Sequence, residues 1–321
     1  MINKFLNNVN EGENSIWRYL ITIALTWIVS NLIAGFLLVI LIVFYFISTG
    51  NLDPIAMVDY INNFDSNAIL LLSMTFIIAS FSMTFLFISM KYIHKRDFFS
   101  LFNFSKKYDE FSGKAVSWTK RIRWNFMLKG ALIWSIFLIV LLLIQFILSP
   151  ETLYLNFNIE NFYLIILLFI LAIPIQVLFE ELFFRGYLNQ GLSLKIKNPL
   201  IIILISSFVF SLGHIINGGM DPIFMVSNVL ITFIIGIIFS VATLTTNGIE
   251  WAVGAHLANN FFAFIISSSE GSLGNFETII QSTTPIDPLW ELIFSLIVFS
   301  IFAVILFFYK KEKILKALKI A

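Results

Sequence analysis

Four side chains sit where so apolar a chain should carry few polar groups: Glu180, His214, His256 and Asn260 all fall in long hydrophobic runs. An ionised group near a bilayer centre costs about 2.5–3.5 kcal/mol on insertion scales, so such residues face a bundle interior or a water-filled cavity. A carboxylate in low-dielectric surroundings holds its proton more tightly, which suits a general base working near neutral pH. Glu180 opens the run Glu180-Glu181-Leu182-Phe183-Phe184-Arg185. Neighbouring helical side chains point about 100° apart, so Glu180 and Glu181 are expected to face different surroundings. Glu181 precedes Arg185 by four residues, the better orientation for a helical ion pair. That pair balances its own charge and leaves Glu180 without a local partner. His256 and Asn260, also four apart, share one helical face, where an imidazole and a carboxamide could both donate to a developing oxyanion.

Each residue alone has a plainer explanation. A single intramembrane His is more often an interhelical hydrogen-bonding residue than a catalyst, Glu181–Arg185 would be structural, and Asn260 would be packing glue. The combination on three late helices favours function. His94, followed by Lys95 and Arg96, reads as an ordinary loop residue. Depth is the test of convergence. At 1.5 Å per residue, Glu180 lies roughly 15 Å from the turn near Asn189-Gln190-Gly191 and His256 roughly 10–12 Å from Asn247-Gly248. His214 lies about 23 Å from Pro199, and it meets the others only if its helix starts below the membrane surface or is strongly tilted.

The chain that must position these residues is 59% apolar and 12% charged over 321 residues, with a mean hydropathy of +0.93. Soluble domains run near 45–50% apolar and about 25% charged, so lipid is part of its solvent. There is no cysteine, which removes disulfides, thiolate nucleophiles and Cys-based metal sites. Runs long enough to cross a bilayer as helices lie near 17–47, 66–92, 124–148, 162–188, 198–216, 223–245, 249–268 and 289–309. The first is too long for a signal-peptide core and reads as an uncleaved span. Loops at 49–65, 149–161, 217–222 and 269–288 hold no Lys or Arg; every basic residue falls in the N-terminus, in 91–129, in 185–197 or from Lys310 onward. This alternation predicts an all-α integral membrane bundle of about eight transmembrane helices with both termini cytoplasmic. It is read as a single polytopic domain over 1–321, with its motif-bearing core at 162–268. The basic segment 93–123 is read as a cytoplasmic loop that fixes topology, in preference to an interfacial stretch with Phe98, Phe99, Leu101 and Phe102 among lipid headgroups. Pro174, six residues before Glu180, is expected to curve its helix. Gly213 and Gly254-Ala255 are expected to let helices approach closely.

Taken in order, Glu180-Glu181-x-x-x-Arg185, Phe210-x-x-x-His214 and His256-x-x-x-Asn260 resemble the three motifs of the CAAX protease and bacteriocin-processing (CPBP, Abi) superfamily of intramembrane endopeptidases. The resemblance covers roughly 165–265; the first three spans and the last carry no motif of that family. It implies an eight-helix peptidase in which Glu180 and His214 activate a water and His256 and Asn260 stabilise the oxyanion. Glu181, Arg185 and Phe210 would support them. The family is commonly called metalloprotease, and Glu180, His214 and His256 would be the ligands of a zinc ion. A metal-free site is preferred, because a Glu-activated water needs no metal and the His-Glu-x-x-His helix signature is absent. The sequence therefore requires no cofactor.

The expected function is hydrolysis of a membrane-associated or leader-type peptide, with the lipid bilayer and a peptide or protein substrate as partners and no nucleic acid. The Ile-, Asn-, Phe- and Lys-rich composition points to a bacterial cell membrane, where bacteriocin processing or immunity fits better than prenylated substrates. The rival readings are a non-catalytic immunity or scaffold protein and a proton-coupled transporter using the same buried acids and histidines.

Overall fold

Runs of Ile, Leu and Phe uninterrupted by charge must satisfy their backbone polar groups internally, and in lipid that means helices. In the computed structural model, which describes residues 3–50, 53–62, 67–104, 116–156, 159–215, 222–269, 276, 278–283 and 287–318, eight principal helices follow one another. They are α1 (Ile16–Ser48), α2 (Ala68–Ile93), α3 (Trp124–Leu148), α4 (Phe162–Ser193), α5 (Pro199–Leu212), α6 (Pro222–Thr246), α7 (Glu250–Phe261) and α8 (Leu292–Leu318). Among the described residues, six of these are long and apolar enough to cross a membrane, and α5 and α7 are the shorter two. The spans expected at 198–216 and 249–268 are therefore only partly regular helix. Fourteen residues in α5 and twelve in α7 rise roughly 21 and 18 Å, short of a hydrocarbon core of about 30 Å. A turn at 213–215 follows α5, and a π-helical turn, Phe262–Ile266, extends α7. The chain is an all-α, multi-pass membrane protein.

Two poles bracket the bundle. At one, Asn8 Nδ2 donates to the carbonyls of Ser100 (2.8 Å) and Asn103 (3.0 Å), and Asn3 Nδ2 donates to that of Leu244 (2.9 Å). Ser193 Oγ reaches the Leu6 carbonyl at 3.4 Å, and Asn103 bridges Gly248. The N-terminal segment, the stretch after α2, the end of α4 and the α6–α7 turn thus meet here, and they carry much of the basic charge. At the other pole three short strands, β1 (Leu153–Leu155), β2 (Ser267–Ser269) and β3 (Ile280–Ser282), form a sheet in the order β1-β3-β2. β1 runs antiparallel and β2 parallel to β3. The hydropathy pattern offered no sign of this sheet. It ties together segments free of Lys and Arg.

The segment 93–123 departs from the interfacial reading, because Leu101 and Phe102 are buried in protein and not among lipid headgroups. Residues 105–115 lie outside the described residues, as does 216–221 with its Asn217-Gly218-Gly219 break. What is described of 93–104 folds against the bundle end: Leu101 and Phe102 are buried, and the Leu101 carbonyl packs over Gly186. His94 is buried as well, not a plain loop residue. Its Nδ1 faces the Glu13 carbonyl at 2.9 Å and its Nε2 the Tyr187 hydroxyl at 2.8 Å. Burial holds the His94 pKa below its usual 6.5 and brings that of Arg96 down to about 10. Arg96 is nonetheless held by Ser100 Oγ (2.7 Å) and the Gln190 carboxamide.

Candidate active site

Helix α4 carries Pro174 in its interior, and from Glu181 to Leu188 its hydrogen bonding widens to the π pattern. Such widened turns re-aim side chains and are common at functional sites. Here the change falls between the two glutamates, and both carboxylates close on one imidazole. Glu181 Oε1 lies 2.9 Å from His256 Nδ1, and Glu180 Oε2 lies 3.8 Å from His256 Nε2. The expectation that adjacent glutamates face separate surroundings is thus overturned. Their divergence on α4 is taken up by the two ring nitrogens of His256.

Glu181 is fully buried and also accepts from Arg185 Nη1 at 3.0 Å, the expected i,i+4 pair. An ionised carboxylate only accepts, so Nδ1 of His256 carries the hydrogen towards it. Arg185, 1% exposed, is sandwiched between aromatic rings, with its guanidinium carbon 4.1 Å from the Phe210 centroid and 5.5 Å from that of Phe239. Phe210 in turn stands edge-on to His256 at 6.2 Å. Its part in the motif is therefore physical: it covers the cation and walls the imidazole.

Glu180 does have a local partner. The Gln176 carboxamide, one turn earlier, donates to Glu180 Oε1, and Asn260 Nδ2 donates to Gln176 Oε1 at 3.3 Å. Asn260 also accepts from Asn259 Nδ2 at 3.4 Å, and Trp134 Nε1 holds Asn259 Oδ1 at 3.2 Å. Sequence reasoning passed over Gln176 and Asn259. The available signal was a lone polar residue in an apolar run, four positions before the glutamate.

Helix α7 is set in place from two directions. At Gly254 the backbone of α3 comes so close that an added Cβ would lie 1.9 Å from the Met127 carbonyl oxygen, and Gly130 meets Trp251 in the same way. This close approach agrees with the reading of Gly254 from sequence. Gly213 does not share it, because its added Cβ would meet only the Phe210 carbonyl, at 3.3 Å. At its N-terminus α7 is anchored by Glu250, fully buried and held by Arg123 and Asn103.

His214 lies just beyond α5, in the turn that closes it. Its Nδ1 faces its own Phe210 carbonyl at 3.0 Å and its ring packs on that of Phe210 at 4.5 Å. It makes no hydrogen bond to Glu180; the two connect through Phe210 and His256. Among the described residues, no group of three His, Asp or Glu side chains is arranged to hold a metal. The Nδ1 bonds of His256 to Glu181 and of His214 to its own helix would leave Nε2 of each ring for a metal, but Glu180, His214 and His256 are not brought together as a ligand set.

The chain is 26% identical over 319 residues to the "Uncharacterized protein YyaK" of Bacillus subtilis (strain 168), covering 97% of this chain and 98% of the relative. No solved structure matches it. Residues 161–262, which hold Glu180, Glu181, Arg185, Phe210, His214, His256 and Asn260, match the family described as type II CAAX prenyl endopeptidase, Rce1-like.

Proposed function

We propose that this protein is an intramembrane endopeptidase that hydrolyses a peptide bond with a water activated by Glu180. One observation carries the reading. Among the described residues, Glu180 Oε2 is buried with no hydrogen-bond partner and stands 3.8 Å from His256 Nε2. That gap is too long for a direct hydrogen bond and short enough for one water to touch both atoms. Glu180 takes the proton of that water as it attacks the scissile carbonyl and later delivers it to the leaving amine. Oε1 stays fixed by Gln176 while Oε2 does the transfer. His256, fixed through Nδ1 by the Glu181–Arg185 pair, directs Nε2 at the reacting centre and donates to the oxyanion as the imidazolium, whose two nitrogens both carry hydrogen, and Asn260 on the same face supplies the second donor. His214, its ring packed on Phe210 with Nδ1 on the Phe210 carbonyl, is the residue that assists Glu180. The catalytic class in this reading is glutamate-type, since among the described residues Glu180, His214 and His256 are not grouped to hold a metal.

The same reading takes α5 and α7, with their flanking residues, as the fifth and seventh of eight spans and sets both termini in the cytoplasm of a bacterial cell. The separation of basic and Lys/Arg-free poles supports this orientation. A leader-type or other membrane-associated peptide is the proposed substrate.

Glu180→Gln in proteoliposomes, presented with leader-type peptides, is the direct test. Loss of the general base lowers the rate by about 10²–10⁴ while the melting temperature is unchanged. Cleavage at the wild-type rate would refute the assignment. Retained immunity without cleavage would favour a scaffold, and pH-gradient-driven uptake lost in the same variant would favour a transporter.

A further inference from the structure

Below Arg185, towards the basic pole, three helices turn polar at the same level. α4 runs towards that pole and places Asn189 one turn past Arg185. α5 runs away from it, so Ser207 lies about one turn on the basic side of Phe210. α6 runs towards it and carries Ser240 and Thr243 just past Phe239. Phe210 and Phe239 both flank the Arg185 guanidinium, and the four polar residues follow these three side chains by about one turn or less on the basic side. Contact between α5 and α6 is close here, since an added Cβ at Gly236 would lie 3.0 Å from Ser207 Cβ.

All four residues are at most 1% exposed, yet Asn189 Oδ1 and Nδ2, Ser207 Oγ, Ser240 Oγ and Thr243 Oγ1 have no hydrogen-bond partner in the described chain. Arg185 Nη2 and Glu181 Oε2 share this condition. Helical hydroxyls usually bond back to their own carbonyls, as Ser206, Ser211, Thr232 and Thr246 do on the same two helices. Ser207, Ser240 and Thr243 leave theirs directed elsewhere. Burying such groups unpaired costs about 1–3 kcal/mol each, and buried water with two to four polar partners is the usual remedy.

We propose that Asn189, Ser207, Ser240 and Thr243 enclose a cluster of ordered water beneath Arg185. This water gives Nη2 its acceptor and thereby holds the Arg185–Glu181–His256 chain at the geometry the site needs. Asn189 is then a positioning residue, acting through Arg185 on His256.

A high-resolution crystal structure of the full chain tests the chamber. Water within hydrogen-bonding distance of both the Asn189 carboxamide and Arg185 Nη2 is the expected result. Direct bonds from Asn189 to Ser207, Ser240 or Thr243, with no water at Nη2, would overturn it. The positioning role rests on the peptidase reading and is tested separately. Asn189→Leu, close in shape but apolar, lowers kcat about tenfold at unchanged KM, and Asn189→Ser, which keeps a polar group and room for one more water, restores most of the rate. An Asn189→Leu variant with wild-type kcat would refute that role. If the wild type cleaves no peptide, the peptidase reading fails, while the chamber still stands or falls on the density.

Discussion

An alanine at Gly254 is the sharpest mechanical test of how the site is held. In an ordinary helix interior, Gly→Ala gains roughly 0.8–1 kcal/mol. Here the new Cβ would lie 1.9 Å from the Met127 carbonyl oxygen, where real Cβ contacts essentially never fall below 3.0 Å. α3 and α7 must part by about 1 Å, and overpacking of that kind costs about 1–3 kcal/mol. The balance is a net loss of up to about 2 kcal/mol. The kinetic effect is larger, because residue 254 is two positions from His256 and the His256–Glu181 bond is only 2.9 Å long. A misplacement of about 1 Å can cost about 10²-fold in rate. The measurements are the melting temperature in detergent and the cleavage rate of a leader-type peptide. Gly35→Ala in α1, where an added Cβ meets nothing within 4 Å, is the control and should raise the melting temperature. If Gly254→Ala raises it as well and leaves the rate intact, the close approach of α3 and α7 is not what fixes the site.

Two further outcomes follow from buried charge. Glu181→Leu strands Arg185 as an uncompensated cation and costs about 3–5 kcal/mol, whereas Glu181→Leu/Arg185→Leu removes both charges and is less destabilised than that single variant; melting temperatures that simply add would contradict the buried pair. For His94, burial holds the folded pKa below 6.5, so the unfolded chain takes up a proton first as the pH falls. The His94 contribution to stability is therefore level well above pH 6.5 and falls as the pH drops through that value, and His94→Gln should flatten that decline in melts from about pH 8 to about pH 5. A wild-type melting temperature that is level across this range would count against the reading.

The membrane class and the motif-bearing helices were legible because lipid allows few solutions and because charge inside an apolar run stands out. The Glu181–Arg185 pair followed from spacing alone. What spacing missed was the convergence of Glu180 and Glu181 on His256, since a regular helix was assumed where α4 widens into a π segment. Gln176 was missed because a single amide in an apolar run carries little weight beside a carboxylate. The cap around His94 and Arg96 was hidden for a different reason. Local charge marks 93–104 as loop, and only long-range bonds to Glu13, Tyr187 and Gln190 show it to be interior. The β1–β2–β3 sheet was likewise invisible, being built from three-residue strands in loops far apart in sequence.

The anchoring of α7 yields a prediction whose sign is set by exposure. Arg123 Nε donates to Glu250 Oε1 at 2.9 Å, its backbone N–H reaches the same oxygen at 3.3 Å, and Asn103 donates there too. Arg123 Nη1 also holds the Thr246 carbonyl at 2.7 Å. The two partners are not equivalent, because the Arg123 side chain is 30% exposed and that of Glu250 is 0% exposed. Removing Glu250 leaves a cation that water can reach and that keeps its bond to Thr246, so Glu250→Ala costs about 1–3 kcal/mol. Removing the Arg123 side chain leaves a carboxylate sealed at the start of α7 with little beyond Asn103, the residue-123 backbone N–H and the helix dipole to offset it, and Arg123→Ala costs about 3–5 kcal/mol. The double variant should then be more stable than Arg123→Ala alone, because it removes the stranded charge. Thermal melts of the two singles and the double close the cycle. If Glu250→Ala costs as much as Arg123→Ala, the start of α7 is held by helix packing and not by this pair, and the argument that the basic pole positions His256 loses its main support.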